Sequence, residues 1–395
     1  MVMCVTNAPY YEFFMCFTKV FACLATFPLW LITEFTTISL TPAATLTSSK
    51  DIEFLGQATL PTGTQFNGTE VGGLSGITYD SRKNVYYSIS DDRSQKAPAR
   101  FYTLKIDLSA VSLKKVDVVN VTTLLKADGK HFPELSVDPE GIALTRDNKL
   151  FISSEGDVDK LVKPFVNQFS LTGKQLQVLP VTSKFLPSAK GNKGIRNNLA
   201  FEALTITPNQ KYLFTATENA LIQDGNIATI TTGTPARILK YNLSAGQPIQ
   251  EFLYLTEPIA GTVKISKFSA NGLADLLAID NNRVLSLERS FSLIKGNTIR
   301  LYEVSLAEAD DISKIASLKA VNINKIKPAQ KKLLFNFNQL NIPIDNIEGL
   351  TFGQCLPNGR RSLIFVSDNN FTSLQFTQIL AFSVKDEQKV CLPRH

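Results

Sequence analysis

The sequence predicts an all-β fold, a single β-propeller of five four-stranded blades with six as the alternative, and three observations lead there. One hairpin pattern recurs every 60 to 75 residues, further strands of alternating polarity follow each recurrence, and, apart from the first 44 residues, only residues 305–320 carry a convincing helical pattern. The chain has 395 residues, 44% apolar and 19% charged, a globular composition ample for a large core. Length alone would allow two or three domains, but a repeat architecture makes one domain of this size ordinary.

Taken in order, IEFLGQATL at 52–60 precedes the first hairpin. The five hairpins are LSGITYD with YYSISDD, PEGIALT with LFISSEGD, FEALTIT with YLFTATEN, ADLLAID with VLSLERS, and IEGLTFG with LIFVSDNN. SRKN, RDNK, PNQK, DNN and LPNGRR supply turn-forming residues where the strands reverse. Third strands follow as FYTLKID, VNQFSL, ARILKYNL, TIRLYEV and QILAFSV, and fourth strands as KKVDVVNVTTL, QLQVLP, QEFLYLT and KKLLFNFNQ. Four antiparallel strands per unit, stacked around an axis, make a propeller blade and leave few edges exposed. The fifth copy lacks an outer strand, so residues 52–60 are expected to supply it and close the ring. Six blades would need irregular strands within KADGKHFPELSV or GTVKISKF. Residues 305–320, SLAEADDISKIASLKA, read as a helical insertion between strands of blade four.

Residues 1–44 read as a secretory leader and 45–395 as the propeller domain. Lys19 precedes VFACLATFPLWLI, an apolar run of 13 residues, and small residues follow around Pro42, Ala43 and Ala44; such a run is short for a membrane span. Met15 is an alternative start, and an uncleaved anchor is the alternative to cleavage. Cys4, Cys16 and Cys23 fall in the leader, which leaves Cys355 and Cys391 either as one disulfide at the ring seam or as two thiols. Without the leader's Lys19, Glu12 and Glu34 the balance is 40 Lys+Arg against 33 Asp+Glu, or +7. That charge is diffuse, compatible with anionic small substrates, and gives no case for nucleic acid.

The acids recur with the strands. Glu140, Glu202 and Glu348 begin inner strands, Ser75 holds the place in copy one, and in copy four Leu273 aligns there with Asp275 two residues on, expected on the same face. The second strands end in Asp91 and Asp92, Glu155, Glu218, Glu288 and Asp368. Inner strands line a channel, so these carboxylates meet at one mouth, where either their pKa values rise or cations bind. Oxygen donors without histidine or thiolate suit a hard cation, Ca²⁺ before Mg²⁺. Arg93, Arg100, Arg196 and Arg289 lie close by in sequence, for phosphate contacts or internal ion pairs. The competing reading makes the repeated acids ties between blades. His131 and His395 are the only histidines, and there is neither a G-x-S-x-G elbow nor a P-loop.

The copies SDDRSQKAPARFY, DPEGIAL with FISSEGD, NNLAFEALTITPN with TATENAL, LLAIDNNRVLSLERSF, and NIEGLTFG with LIFVSDNNF closely resemble the esterase-like activity of phytase family over roughly residues 70–383. The resemblance implies a propeller with phosphomonoester or phosphodiester hydrolase activity. It carries over Asp91, Asp92, Arg93, Glu140, Glu155, Glu202, Glu218, Glu288, Arg289, Glu348, Asp368 and Asn369. The expectation is an exported hydrolase of phosphoric esters, secreted or held in the periplasm or cell envelope, acting as a monomer on a phosphorylated small molecule. Catalysis is assigned to Glu140, Glu202, Glu348, Arg93 and Arg289, substrate contact to Arg93, Arg289, Arg196 and Asn369, and Ca²⁺ ligation to the acids named above. The alternative is a non-catalytic cell-envelope propeller that binds a ligand or partner at its mouth.

Overall fold

The computed structural model describes residues 52–261 and 269–385. The leader, most of GTVKISKF, and Cys391 lie outside the described residues. Strand β1 spans Ile52–Leu60, and a small hairpin of β2 (Gln65–Phe66) and β3 (Thr69–Glu70) follows. Blade one holds β4 (Leu74–Asp80), β5 (Val85–Ser90), β6 (Arg100–Leu108) and β7 (Leu113–Thr123); blade two holds β8 (Pro139–Leu144), β9 (Lys149–Ser154), β10 (Phe165–Ser170) and β11 (Gln175–Val178). Blade three holds β12 (Phe201–Ile206), β13 (Tyr212–Thr217), β14 (Pro235–Asn242) and β15 (Gln247–Leu255); blade four holds β16 (Ala270–Ala278), β17 (Arg283–Ser292), β18 (Gly296–Ser305) and β19 (Gln330–Asn336). Blade five holds β20 (Ile347–Cys355), β21 (Arg361–Ser367) and β22 (Thr377–Val384), with β1 as its outer strand. The inner strands β4, β8, β12, β16 and β20 touch in that cyclic order, and β20 returns to β4.

Strand alternation builds the core. Tyr86 packs into the layer between blades five and one, whereas its neighbour Tyr87 packs into the layer between blades one and two. On β21, Leu363 and Phe365 face blade four while Ile364 and Val366 face blade one. Each blade is therefore apolar on both faces, and an apolar layer fills every gap between blades. The outer strands read differently: β11 is largely exposed, as expected at a rim.

Ring closure is as expected. β1 pairs antiparallel with β22 from Ile52 opposite Val384 to Leu60 opposite Thr377, with one bulge between Phe54 and Gly56. Cys355 is disulfide-bonded. The segment KADGKHFPELSV is a loop with one isolated bridge, Leu125 to His131, and adds no sixth blade.

The expected helix at 305–320 is corrected. Ser305 ends β18, and the segment lies between β18 and β19 as anticipated, but only Leu318–Ala320 forms a single 3₁₀ turn. Its polar groups are spent elsewhere. Ile312 donates its amide to the Glu251 carbonyl at 2.8 Å, Asp311 accepts the Glu251 amide at 3.1 Å, and Ala329 donates to the Leu253 carbonyl at 2.8 Å. Ile312 and Leu318 are buried with Leu253. The insertion thus covers the open edge of β15, and pairing with an edge competes with the helical ladder for the same amides.

Removing β1 exposes the edge of β22 and opens the circle. A chain begun at residue 61 should melt far below one begun at residue 45 and lose cooperativity; equal melting curves would refute closure by β1.

A buried carboxylate mouth and the family of the chain

Every inner strand breaks register at the same place. The bulged residue is Ser75 in β4, Glu202 in β12, Ala274 in β16 and Glu348 in β20, and in β8 the break spans Glu140 and Gly141. A bulge re-aims a side chain that regular pairing would send into a blade interface. On the second strands, the residues paired with the one just before each break are Ser90, Ser154, Thr217, Glu288 and Ser367. The next residue in each blade, Asp91, Glu155, Glu218, Arg289 and Asp368, sits at the mouth.

This register corrects two expectations. Ala274, not Leu273, stands at the ring position of blade four, so Asp275 falls where blades one, two and five have Gly76, Gly141 and Gly349. Buried at the axis, Asp275 accepts the amides of Leu204 at 3.2 Å, Leu350 at 3.0 Å and Leu276 at 2.7 Å, tying blades three, four and five. Glu288 sits one residue short of the mouth. It accepts from the Tyr254 hydroxyl and the Glu257 amide, both at 2.8 Å, and pairs with Lys331 at 2.6 Å. The mouth position it was expected to fill belongs to Arg289.

The mouth gathers Asp91, Glu140, Glu155, Glu202, Glu218, Glu348 and Asp368. It also includes Asp138, which the reading of the hairpin from Pro139 onward passed over; the DPEG tetrapeptide was the available signal. Two triads, Asp91 with Asp138 and Glu140, and Glu140 with Glu155 and Glu202, each bring one oxygen per residue within 4.8 Å of one another. Burial, then the neighbouring acids, pushes these groups toward the neutral form. Asp138 rises to about 7, Glu155 to about 8, and Asp91, Glu140 and Glu202 move well above the usual carboxylate range. Burial likewise lifts Glu348 and Asp368 to about 8 and Glu218 to about 7.

The cations are unevenly placed. Arg289 lies 3.3 Å from Glu218 and 3.1 Å from Glu348, serving the side of blades three to five. Arg93 stands at the other edge, 3.3 Å from Asp138 and 2.8 Å from Asp157. Three expected contributors point away. Asp92 caps the amides of Gln95, Lys96 and Ala97 and pairs with Arg100 at 2.6 Å. Arg196 donates to the carbonyls of Ala220 at 3.0 Å and Gly225 at 2.8 Å. Asn369 accepts the amides of Gly73 and Phe371 and donates to Thr62, fixing the loop above blade five. Asn346, also unanticipated, donates to Glu348 at 2.9 Å.

The donor set fits a hard cation. It is all oxygen, and Glu155, only 1% exposed, uses Oε1 to accept the Ala200 amide while its Oε2 is buried without a hydrogen-bond partner. A buried polar atom of this kind calls for an explanation, a bound ion among them. A cavity of about 210 Å³ opens at the far end of the channel, but its walls, Ile77, Ile142, Leu204 and Leu350 among them, carry no carboxylate.

Two outcomes follow. Because the folded pKa values lie above the unfolded ones, the folded chain binds more protons, so stability falls as pH rises from the ordinary carboxylate range to about 8. In chelator-treated protein the melting temperature should drop between pH 5 and 8; a flat profile would show that the acids do not crowd. Arg289→Met strands Glu218 and Glu348, with an expected loss of about 3 kcal/mol near pH 8 that shrinks toward pH 5, measured by denaturant melts at both values.

Among curated proteins, an uncharacterized secreted protein of Arthroderma benhamiae is 27% identical over 137 residues, a match spanning 29% of this chain and 25% of that protein. Among solved structures, a protein of unknown function from Dyadobacter fermentans is 9% identical over 85% of this chain and 100% of its own, with a TM-score of 0.37. The catalytic domain of a GH62 α-L-arabinofuranosidase from Coprinopsis cinerea is 7% identical over 84% of this chain and 97% of its own, with a TM-score of 0.41. The sequence model for esterase-like activity of phytase matches residues 69–371, most of the ring and every acid of the mouth, and the chain belongs to this phytase-like family.

Proposed function

We propose that the chain is an exported hydrolase of phosphoric esters, working at the carboxylate mouth with a divalent cation, Ca²⁺ first. The observation that carries this reading is the pair of overlapping triads with a buried, partnerless Glu155 oxygen at the convergence of the blades. Family membership and the secreted relative agree with it. Asp91, Asp138, Glu140, Glu155 and Glu202 would hold the ion, which when bound offsets phosphate charge and makes a nearby water more acidic.

The chain's own groups supply the rest. Glu348 Oε1 is engaged by Asn346 and Arg289, and its carboxyl keeps its proton up to about 8, so at neutral pH it can deliver that proton to the leaving oxygen as the P–O bond breaks. Arg289, 15% exposed, presents its remaining guanidinium edge to an anionic ester.

The test is a panel of phosphate mono- and diesters, run on chelated protein and again after Ca²⁺ is restored. Hydrolysis should depend on the cation, and Glu140→Gln should lower it by about 10²-fold or more without lowering the melting temperature. No turnover on any ester would overturn the reading in favour of a propeller that only binds.

A further inference from the structure

We propose that the mouth end of the ring docks on an anionic lipid bilayer through aliphatic loop tips set among lysines, an inference independent of the chemistry inside the mouth. The loops joining second to third strands leave from the mouth. In blades two to five they carry Leu161, Ile227, Leu293 with Ile294, and Leu374, which are 47% to 93% exposed. Among the described residues the far-end turns carry one large exposed aliphatic, Val111, the insertion carries Val321, and the rest lie on outer strands. Single exposed apolar side chains are ordinary. Four consecutive blades presenting theirs at one end are not, and such a set marks an interaction face.

The tips stand on held backbone. Leu161 takes φ +57°, in the left-handed region that favours glycine, and still carries an aliphatic side chain outward. Strand β17 runs three residues past Arg289, so the turn bearing Leu293 and Ile294 lies about 10 Å farther along the strand than the mouth residue. The Leu374 loop is pinned on both sides: the Thr372 amide donates to the Asn369 carbonyl at 3.0 Å and the Phe376 amide to Asp345 at 2.6 Å.

Charge selects the occupant. Lys163 lies two residues from Leu161 and Lys295 follows Ile294, both exposed. Lys190 and Lys193, also exposed, ride the loop between the tips of blades two and three, which is tied to both: Val158 donates to Asn197 at 2.5 Å and Gly194 to Gln223 at 2.8 Å. Two further exposed lysines, Lys96 and Lys160, are paired with Glu70 and Asp157. The exposed acids of this end are Asp128, which is paired with Lys126, Glu134 and Asp159. Inside the mouth, Asp138 keeps its proton to about 7 and Glu155 and Glu348 to about 8, so at mildly acidic pH they weigh little against the lysines. Cations alone do not choose the face, since Arg82, Lys83 and Arg146 are exposed at the far end. Aliphatic tips beside lysines do, because the tips enter the acyl boundary while the ammonium groups stay with the phosphates. On the hydrolase reading, docking brings lipid headgroup phosphates to the mouth.

Co-sedimentation with vesicles tests this, comparing equal parts phosphatidylglycerol and phosphatidylcholine with phosphatidylcholine alone, at about pH 6 and about 0.1 M salt. The chain used begins at residue 45; it keeps β1 and all five blades, and so every strand pairing of the ring, and omits the leader's apolar run, which would itself bind lipid. The mixed vesicles should bind it, and raised salt should weaken the binding. Leu374→Ser, and Leu293→Ser combined with Ile294→Ser, should each lower binding about tenfold. Leu176→Ser combined with Val178→Ser, on the exposed outer strand β11, should leave it unchanged, and thermal melting checks that every variant folds. No binding to the mixed vesicles overturns the proposal and leaves the face to a protein partner. Equal binding to phosphatidylcholine alone overturns the choice of an anionic surface. Binding that the tip variants leave intact, or that the β11 variant lowers as much, overturns docking by this end. Hydrolysis is not read, so none of these results bears on the hydrolase reading.

Discussion

Five inner strands converge on one axis, and how closely they come governs most of the rest. A Cβ on Gly141 would stand 2.5 Å from the Leu204 Cβ, and one on Gly349 would stand 2.7 Å from the Ser75 carbonyl oxygen. A side chain at these points would clash, so blades one, two and five use glycine, while blade three has only Ala203. Blade four instead places Asp275 at that point and turns the crowding into hydrogen bonds from the amides of blades three and five. The residue just before must then point away from the axis, and the bulge aims it at the mouth. Crowding at the axis and acids at the mouth are two sides of one backbone feature.

The same closeness excludes water from the acids. Like charges in such a place do not all ionise, and the molecule meets this with three kinds of positive centre: retained protons, Arg289, and on the proposed reading metal ions. A contrast within the chain shows what a purely structural network looks like. Arg237, fully buried, binds Asp224 at 2.6 and 3.0 Å and Glu251 at 2.8 Å, and Lys184 reaches Glu251 at 3.1 Å. Its two cations and two acids, drawn from blade three and the segment leading into it, are matched, and each carboxylate oxygen has a donor. The mouth uses the same residue types but has more acids than cations, and Glu155 Oε2, fully buried, has no donor.

That network also explains why the insertion is not a helix. Asp224 accepts the Leu318 amide at 2.8 Å, and Arg237 and Lys184 donate to the Ile315 and Ser313 carbonyls. Its backbone is held from outside by buried charges and by the edge of β15. Local helical pattern is a weak preference against such partners.

The five hairpins, the third and fourth strands, and closure by residues 52–60 were legible because they rest on local signals. Alternation of apolar residues and the chemistry of turns repeat in every copy, and LPNGRR or PNQK marks a reversal whatever surrounds it. The acids were legible as a recurrence, and Glu140, Glu202 and Glu348 stand where the spacing put them. What the tertiary structure alone decided is a matter of single residues. Ala274 rather than Leu273 at the ring, Arg289 rather than Glu288 at the mouth, Asp138 joining it, and Asp92, Arg196 and Asn369 turned to loop backbone all depend on where a bulge falls. Side chains on a strand alternate with period two, so one residue of register sends a carboxylate to the opposite face. A bulge leaves no mark in the spacing of apolar residues; it is set by how near the neighbouring blade's backbone comes, which exists only once the ring has closed.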